Sequence, residues 1–122
     1  MNLSQHFTSQ EFACKCGCGL SDVHPMLIDL LETIRDKAGE KPVTIVSGHR
    51  CEKHNKKVGG APKSQHRLGK ASDIQIKGMT PAQIYALADQ LDKDGLAHVG
   101  GLGLYKTFVH IDIRGGRARW NG

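Results

Sequence analysis

The run Ser64-Gln65-His66-Arg67-Leu68-Gly69-Lys70-Ala71-Ser72-Asp73 sets a histidine and an aspartate seven positions apart, with the Asp near the start of an apolar segment. An imidazole nitrogen and a carboxylate oxygen at that spacing can face one metal ion, and Gly69 and Ala71 keep the turn between them slim. A metal centre needs a third donor, and Phe108-Val109-His110-Ile111-Asp112-Ile113 offers one. In an extended strand the period of two puts Phe108, His110 and Asp112 on one face and Val109, Ile111 and Ile113 on the other. One face is purely aliphatic and suited to a core; the other carries groups that ligate. The same pattern also describes a strand whose polar face is solvated and bears an ordinary surface histidine.

These residues need elements to hold them. Thr8-Ser9-Gln10-Glu11 has the form of a capping box and predicts a short helical turn through Phe12. Pro25 opens a helix with Leu27, Leu30, Leu31 and Ile34 on one stripe, ending at Gly39, with Ser21 or Asp22 as its cap. Pro42-Val43-Thr44-Ile45-Val46 reads as a buried strand. Residues 47–70 are polar and glycine-rich, with a short helical piece at 53–57; so long a polar stretch in a small domain is functional or mobile. A strand resumes over Ala71–Ile76. Thr80-Pro81-Ala82-Gln83 then combines an N-cap, a proline at the first helical position and a capping-box glutamine. The helix it opens carries Ile84, Leu87, Ala88 and Leu91 and stops by Gly95. Two glycine-broken strands, 99–105 and 107–113, close the pattern. The expected fold class is α+β, a small, largely antiparallel sheet with two main helices packed on it and the metal site at the sheet face.

Composition sets the outer bounds. A chain of 122 residues, 39% hydrophobic and 24% charged, forms one domain over residues 1–122 with a core of its own. The net charge of +5 favours anionic surroundings: nucleic acid, cell wall or membrane surface. No stretch reaches the roughly 18 apolar residues of a membrane span. With one Trp, two Tyr and three Phe, a surface for stacking nucleobases is thin, which argues against a nucleic-acid partner.

Taken in order, Ser47-Gly48-His49-Arg50, His54-Asn55, Val58-Gly59-Gly60, Ser64-x-His66-x-x-Gly69-x-Ala71-x-Asp73 and Phe108-Val109-His110-Ile111-Asp112 resemble the zinc D-alanyl-D-alanine carboxypeptidase family. Its relatives include phage endolysins and the amino-terminal domain of hedgehog proteins. The resemblance runs over residues 7–120, including Cys14-Lys15-Cys16-Gly17-Cys18-Gly19 and the final Ala118-Arg119-Trp120. It implies Zn2+ held by His66, Asp73 and His110 with a fourth position open to water. It implies cleavage of peptide bonds in peptidoglycan, as a D,D-carboxypeptidase or endopeptidase, by attack of zinc-bound water whose pKa falls towards about 7. Arg50 matches the family arginine that meets the substrate, where a guanidinium fork grips a carboxylate or carbonyl; its other reading is a structural ion pair. Ser64, just before the first ligand, reads as a substrate-facing or loop-fixing hydrogen-bonding residue, since no Ser-His-acid arrangement is visible.

The general base departs from the family pattern. Several members carry an acid three residues before the last histidine ligand, and Thr107 stands there. Between Asp94 and the C-terminus the only carboxylate is Asp112, which can serve as base or hold His110. His98 and His49 are the other groups able to titrate near neutrality, although a Tyr is common in the family where His49 stands. This departure keeps a second reading open, a non-catalytic zinc-binding domain that recognises cell-wall peptides or another protein. Cys14, Cys16, Cys18 and Cys51 are read as reduced thiols, as ligands of a second, structural zinc, or as a disulfide between Cys51 and one of the others. The segment Met1-Asn2-Leu3-Ser4-Gln5-His6 lacks a basic region followed by an apolar run. The expectation is therefore a monomer made in the cytoplasm that acts on the cell wall after release, as a phage or prophage lysis protein does through a holin.

Overall fold

A computed structural model describes residues 3–15, 23–48, 50, 52–58 and 65–122. Helix α1 (Pro25–Lys37) starts where proline can start a helix, at the first helical position. His24 caps it: its ring Nδ1 accepts from the Met26 amide at 3.2 Å. Because Pro25 is the first helical residue, the cap must be the residue immediately before it. The expected caps, Ser21 and Asp22, lie outside the described residues. Leu27, Leu30, Leu31 and Ile34 form the buried stripe, each worth about 1.5–3 kcal/mol of transfer free energy when fully buried. The turn before α1 is a 3-10 turn, Ser9–Phe12, and Thr8 does not cap it with its side chain. Thr8 contributes its carbonyl to the Glu11 amide instead, so the expected capping box is absent there.

Strand β1 (Val43–Ser47) leads to a short helix, α2 (Glu52–Lys57), and a second 3-10 turn (Gln65–Leu68). Strand β2 (Ala71–Ile76) and helix α3 (Pro81–Lys93) follow. The capping box expected at Thr80 and Gln83 is present: the Thr80 hydroxyl accepts from the Gln83 amide, and the Gln83 side chain accepts from the Thr80 amide. Strands β3 (Gly101–Leu104), β4 (Val109–Asp112) and β5 (Ala118–Asn121) complete the chain. The two closing strands are thus shorter than the sequence suggested, and β5 is an additional one. Its composition announces β5 only weakly, since Trp120 is the one strand-favouring residue in Ala-Arg-Trp-Asn.

The five strands run in the order β1-β2-β4-β3-β5. All neighbours are antiparallel except β3 and β5, which are parallel. The fold is α+β, as expected. Leu102, Val109, Ile111, Ile74 and Ile76 join the stripes of α1 and α3 in one core. The alternate residues of the same strands turn away from that core. Among them, Asp73 lies opposite His110, His110 opposite Gly103, and Gly103 opposite Trp120, a row across four strands. Arg119 points to the helix side, where Nε reaches Asp89 at 2.9 Å and Nη2 reaches Asp92 at 3.1 Å, fastening β5 to α3.

Candidate metal centre

Three side chains converge on the face of the sheet opposite the helices. One donor atom each from His66, Asp73 and His110 lies within 4.8 Å of the others. The 3-10 turn supplies His66, β2 supplies Asp73, and β4 supplies His110 directly across the ladder from Asp73. All three are buried, at 2%, 5% and 8% exposure. A solvated strand face with a surface histidine is therefore excluded.

The proton positions on the two rings follow from their outer partners. His66 Nδ1 lies 2.7 Å from the Gly48 carbonyl oxygen, which only accepts, so this nitrogen carries the hydrogen. His110 Nε2 donates to Asp112 Oδ2 at 2.8 Å by the same logic. The inward nitrogens then present lone pairs to Asp73 Oδ1, at 3.2 Å from His66 Nε2 and 3.1 Å from His110 Nδ1. Two lone pairs and a carboxylate oxygen facing one another repel unless a cation sits among them or a ring takes a second proton. That donor set, two imidazoles and a carboxylate, fits a catalytic-type divalent metal site. In the metal-free protein, burial works against the charge on Asp73, but hydrogen bonds from His110 and His66 outweigh it and lower its pKa to about 2. Burial likewise opposes protonation of His110, yet Asp112 and Asp73 together raise its pKa.

Asp112 is wholly buried behind His110. Its Oδ1 accepts from the Gly101 amide at 2.7 Å and from the Arg114 amide and Nε at 3.0 and 2.9 Å. Its Oδ2 accepts from Arg114 Nη2 at 2.7 Å and from His110. Burial alone would raise its pKa, but the His110 and Arg114 hydrogen bonds hold it well below the usual carboxylate range. The carboxylate touches the outer nitrogen of His110, on the far side of the ring from the converging donors. A carboxylate held this way orients the ring and fixes its tautomer.

Arg50 stands at the opposite side of the cluster. Its Nη2 is 3.4 Å from Asp73 Oδ2, its Nη1 3.4 Å from Asn55 Oδ1 and its Nε 3.3 Å from Ser47 Oγ. His98 is not brought to the cluster. It is exposed, its Nε2 lies 2.8 Å from the Arg114 carbonyl oxygen, and it borders a cavity lined by Met26, Leu30 and Ile113 beside α1. Ser64 and His49 lie outside the described residues. So do Cys16, Cys18 and Cys51; Cys14 is buried, and nothing among the described residues supports a second metal.

The structure adds Gly101, Gly103 and Arg114, which the motifs do not single out, and places Trp120 of the closing Ala118-Arg119-Trp120 beside them. Gly101 and Gly103 leave β3 bare on the site face. A Cβ on Gly101 would meet Asp112 Oδ2 at 2.2 Å, and one on Gly103 would meet Trp120 Nε1 at 2.4 Å. Across that bare strand Trp120 reaches His110, with ring centroids 5.1 Å apart, and the Arg114 guanidinium lies 5.3 Å from the indole centroid. The readable signal is Gly101-Leu102-Gly103, whose period of two matches a strand kept bare on one face.

The model of the family described as Peptidase M15 matches residues 5–112, most of the chain and all three converging donors. The chain belongs to the Peptidase M15 family. Among curated relatives of this M15 chain, the zinc D-Ala-D-Ala carboxypeptidase of Streptomyces albus G is 32% identical over 90 residues, covering 74% of this chain and 34% of that protein. The peptidoglycan L,D-endopeptidase MepK of Escherichia coli K12 is 33% identical over 101 residues, covering 76% of this chain and 52% of its own length. The M15 chain thus spans about a third of one relative and about half of the other.

Proposed function

We propose that the protein is a zinc-dependent peptidase that hydrolyses peptide bonds in peptidoglycan, as a D,D-carboxypeptidase or an endopeptidase. The observation that carries this reading is the convergence of the buried His66, Asp73 and His110 donor atoms on the face of the sheet away from the helices. The names of the relatives supply the metal and the substrate class: one is a zinc carboxypeptidase acting on D-Ala-D-Ala, the other a peptidoglycan endopeptidase. Zinc held by these three side chains supplies a Lewis acid for the scissile carbonyl and the means to acidify a water.

The chain's own residues take the remaining parts. Asp112 holds His110 with its proton on Nε2, the assignment favoured by the five donor atoms around its carboxylate over that of a general base. Arg50 meets the substrate's carboxylate or carbonyl. Among the described residues its three side-chain contacts are all at 3.3–3.4 Å, the long end of the hydrogen-bond range, so a carboxylate in bidentate geometry can displace them. The place of work is the cell wall, reached after release from the cytoplasm, and the protein acts as a monomer without nucleic acid. Among the described residues no helix is long and apolar enough to cross a membrane.

A second reading is a zinc domain that binds wall peptides without cutting them. It is favoured by one observation: both carboxylates at the cluster, Asp73 and Asp112, are already engaged by neighbouring side chains. Turnover separates the two. The zinc-loaded protein is expected to release amines from purified peptidoglycan or D-alanine from a D-Ala-D-Ala peptide. Saturable binding of wall fragments with no hydrolysis of either would establish the non-catalytic reading.

A further inference from the structure

The sequence holds one Trp, two Tyr and three Phe. Phe7 and Phe12 are in the core, and Tyr85, on α3, packs partly buried against it. The remaining three gather beside His110. Tyr105 and Phe108 flank the β3–β4 turn and stack, with ring centroids 4.6 Å apart and planes 11° from parallel. Trp120 donates from Nε1 to the Tyr105 hydroxyl at 3.0 Å, and its ring lies against His110. All three are only partly buried, so the rings form a ledge that begins at a metal-site histidine and runs towards the end of the sheet. Arg114 over the indole and Tyr105 at its nitrogen hold the ledge before any ligand arrives.

We infer that Trp120, Tyr105 and Phe108 form a subsite for the flat face of a sugar ring of the glycan strand next to the peptide being cut, an inference that rests on the peptidoglycan reading. Wall peptides consist mainly of alanine, an acidic residue and a diamino acid, none of which offers a broad apolar face. The N-acetylated sugars do: the axial C–H bonds of a pyranose make one side of the ring apolar, while its hydroxyls and amide stay at the edge. Rigid aromatic rings with polar edges complement that pattern at little entropic cost. The ledge is continuous with the His110 side of the centre, so a sugar seated there lies beside the reacting peptide.

Trp120 is the only tryptophan and reports its own occupancy. The experiment titrates the protein with the N-acetylated disaccharide of the wall alone and, separately, with the sugar-free stem peptide, and follows tryptophan emission. A saturable change with the disaccharide is expected. Phe108→Leu, which keeps apolar volume but removes the stacked ring, should weaken it roughly three- to tenfold, and Phe108→Tyr should restore it. Hydrolysis gives the second readout: the ratio of kcat/KM for disaccharide-bearing over sugar-free peptide should exceed one and collapse towards one in Phe108→Leu. No emission change with disaccharide, or the same change with peptide alone, overturns the subsite even where both substrates are cut. Saturable disaccharide binding without hydrolysis of any wall substrate overturns the peptidase reading and leaves the subsite standing.

Discussion

His66, Asp73 and His110 are suggested by residue type and spacing, joined into one set by the family resemblance, and brought together in the structure. Alternation along β4 puts His110 opposite an aliphatic core face, and the seven-residue interval from His66 to Asp73 spans one 3-10 turn and the start of β2. Replacing His66 or Asp73 with alanine is expected to abolish one-to-one zinc after dialysis and, with it, peptide hydrolysis. Equimolar zinc and full turnover in either variant would remove these residues from the ligand set. Asp112 was only half legible. Its face could be read from the strand period, but its role depends on Arg114 and on an amide of a neighbouring strand, which no local pattern encodes. Asp112→Asn puts an amide where the Arg114 fork and the His110 N–H both need acceptors. It should lower zinc affinity about 10- to 100-fold by chelator competition, whereas unchanged affinity would make the His110 contact incidental.

At the level of elements, the helices were readable because their stripes and caps are local. α3 has its capping box, and α1 begins at its proline; the cap of α1 moved to His24 because a ring nitrogen can accept an amide as a serine would. Strand β5 was not readable, since it is held by partners far away: parallel pairing to β3 and the Arg119 contacts to Asp89 and Asp92. Strand β3 carries the most specific requirement. Gly101→Ala places a methyl 2.2 Å from Asp112 Oδ2, so the carboxylate must leave its position behind His110. The variant should lose about 1–3 kcal/mol of stability by denaturant unfolding and weaken zinc binding as Asp112→Asn does. Gly115→Ala, whose added Cβ meets nothing within 4 Å, serves as the control.

On the scale of the whole molecule, charge clusters fasten the periphery and add to the acid sensitivity that Asp73 and Asp112 already bring. Asp89, held first by Arg119 and then by Arg117 and Lys93, titrates well below its ordinary 3.8. Burial pushes Glu32 up, but Ser4 and His6 outweigh it and bring it below 4.5. Both folded values lie below the unfolded ones, so the contribution to stability is present above about pH 4.5 and is lost as pH falls further. Thermal midpoints taken downward from about pH 7 should drop below that point. Asp89→Asn should flatten the part of the drop below about pH 4, at a cost near neutrality of about 1 kcal/mol because the group is partly exposed; an unaltered profile would show that the cluster contributes nothing. The row from Asp73 through His110 and Gly103 to Trp120 has a consequence for folding. A slip of β4 by one residue against β2 would turn His110 into the oily interior and bring Ile111 out beside Asp73. Zinc uptake is therefore expected to report on strand pairing: the metal content of a refolded preparation should follow the fraction of chains in which β4 is in register with β2.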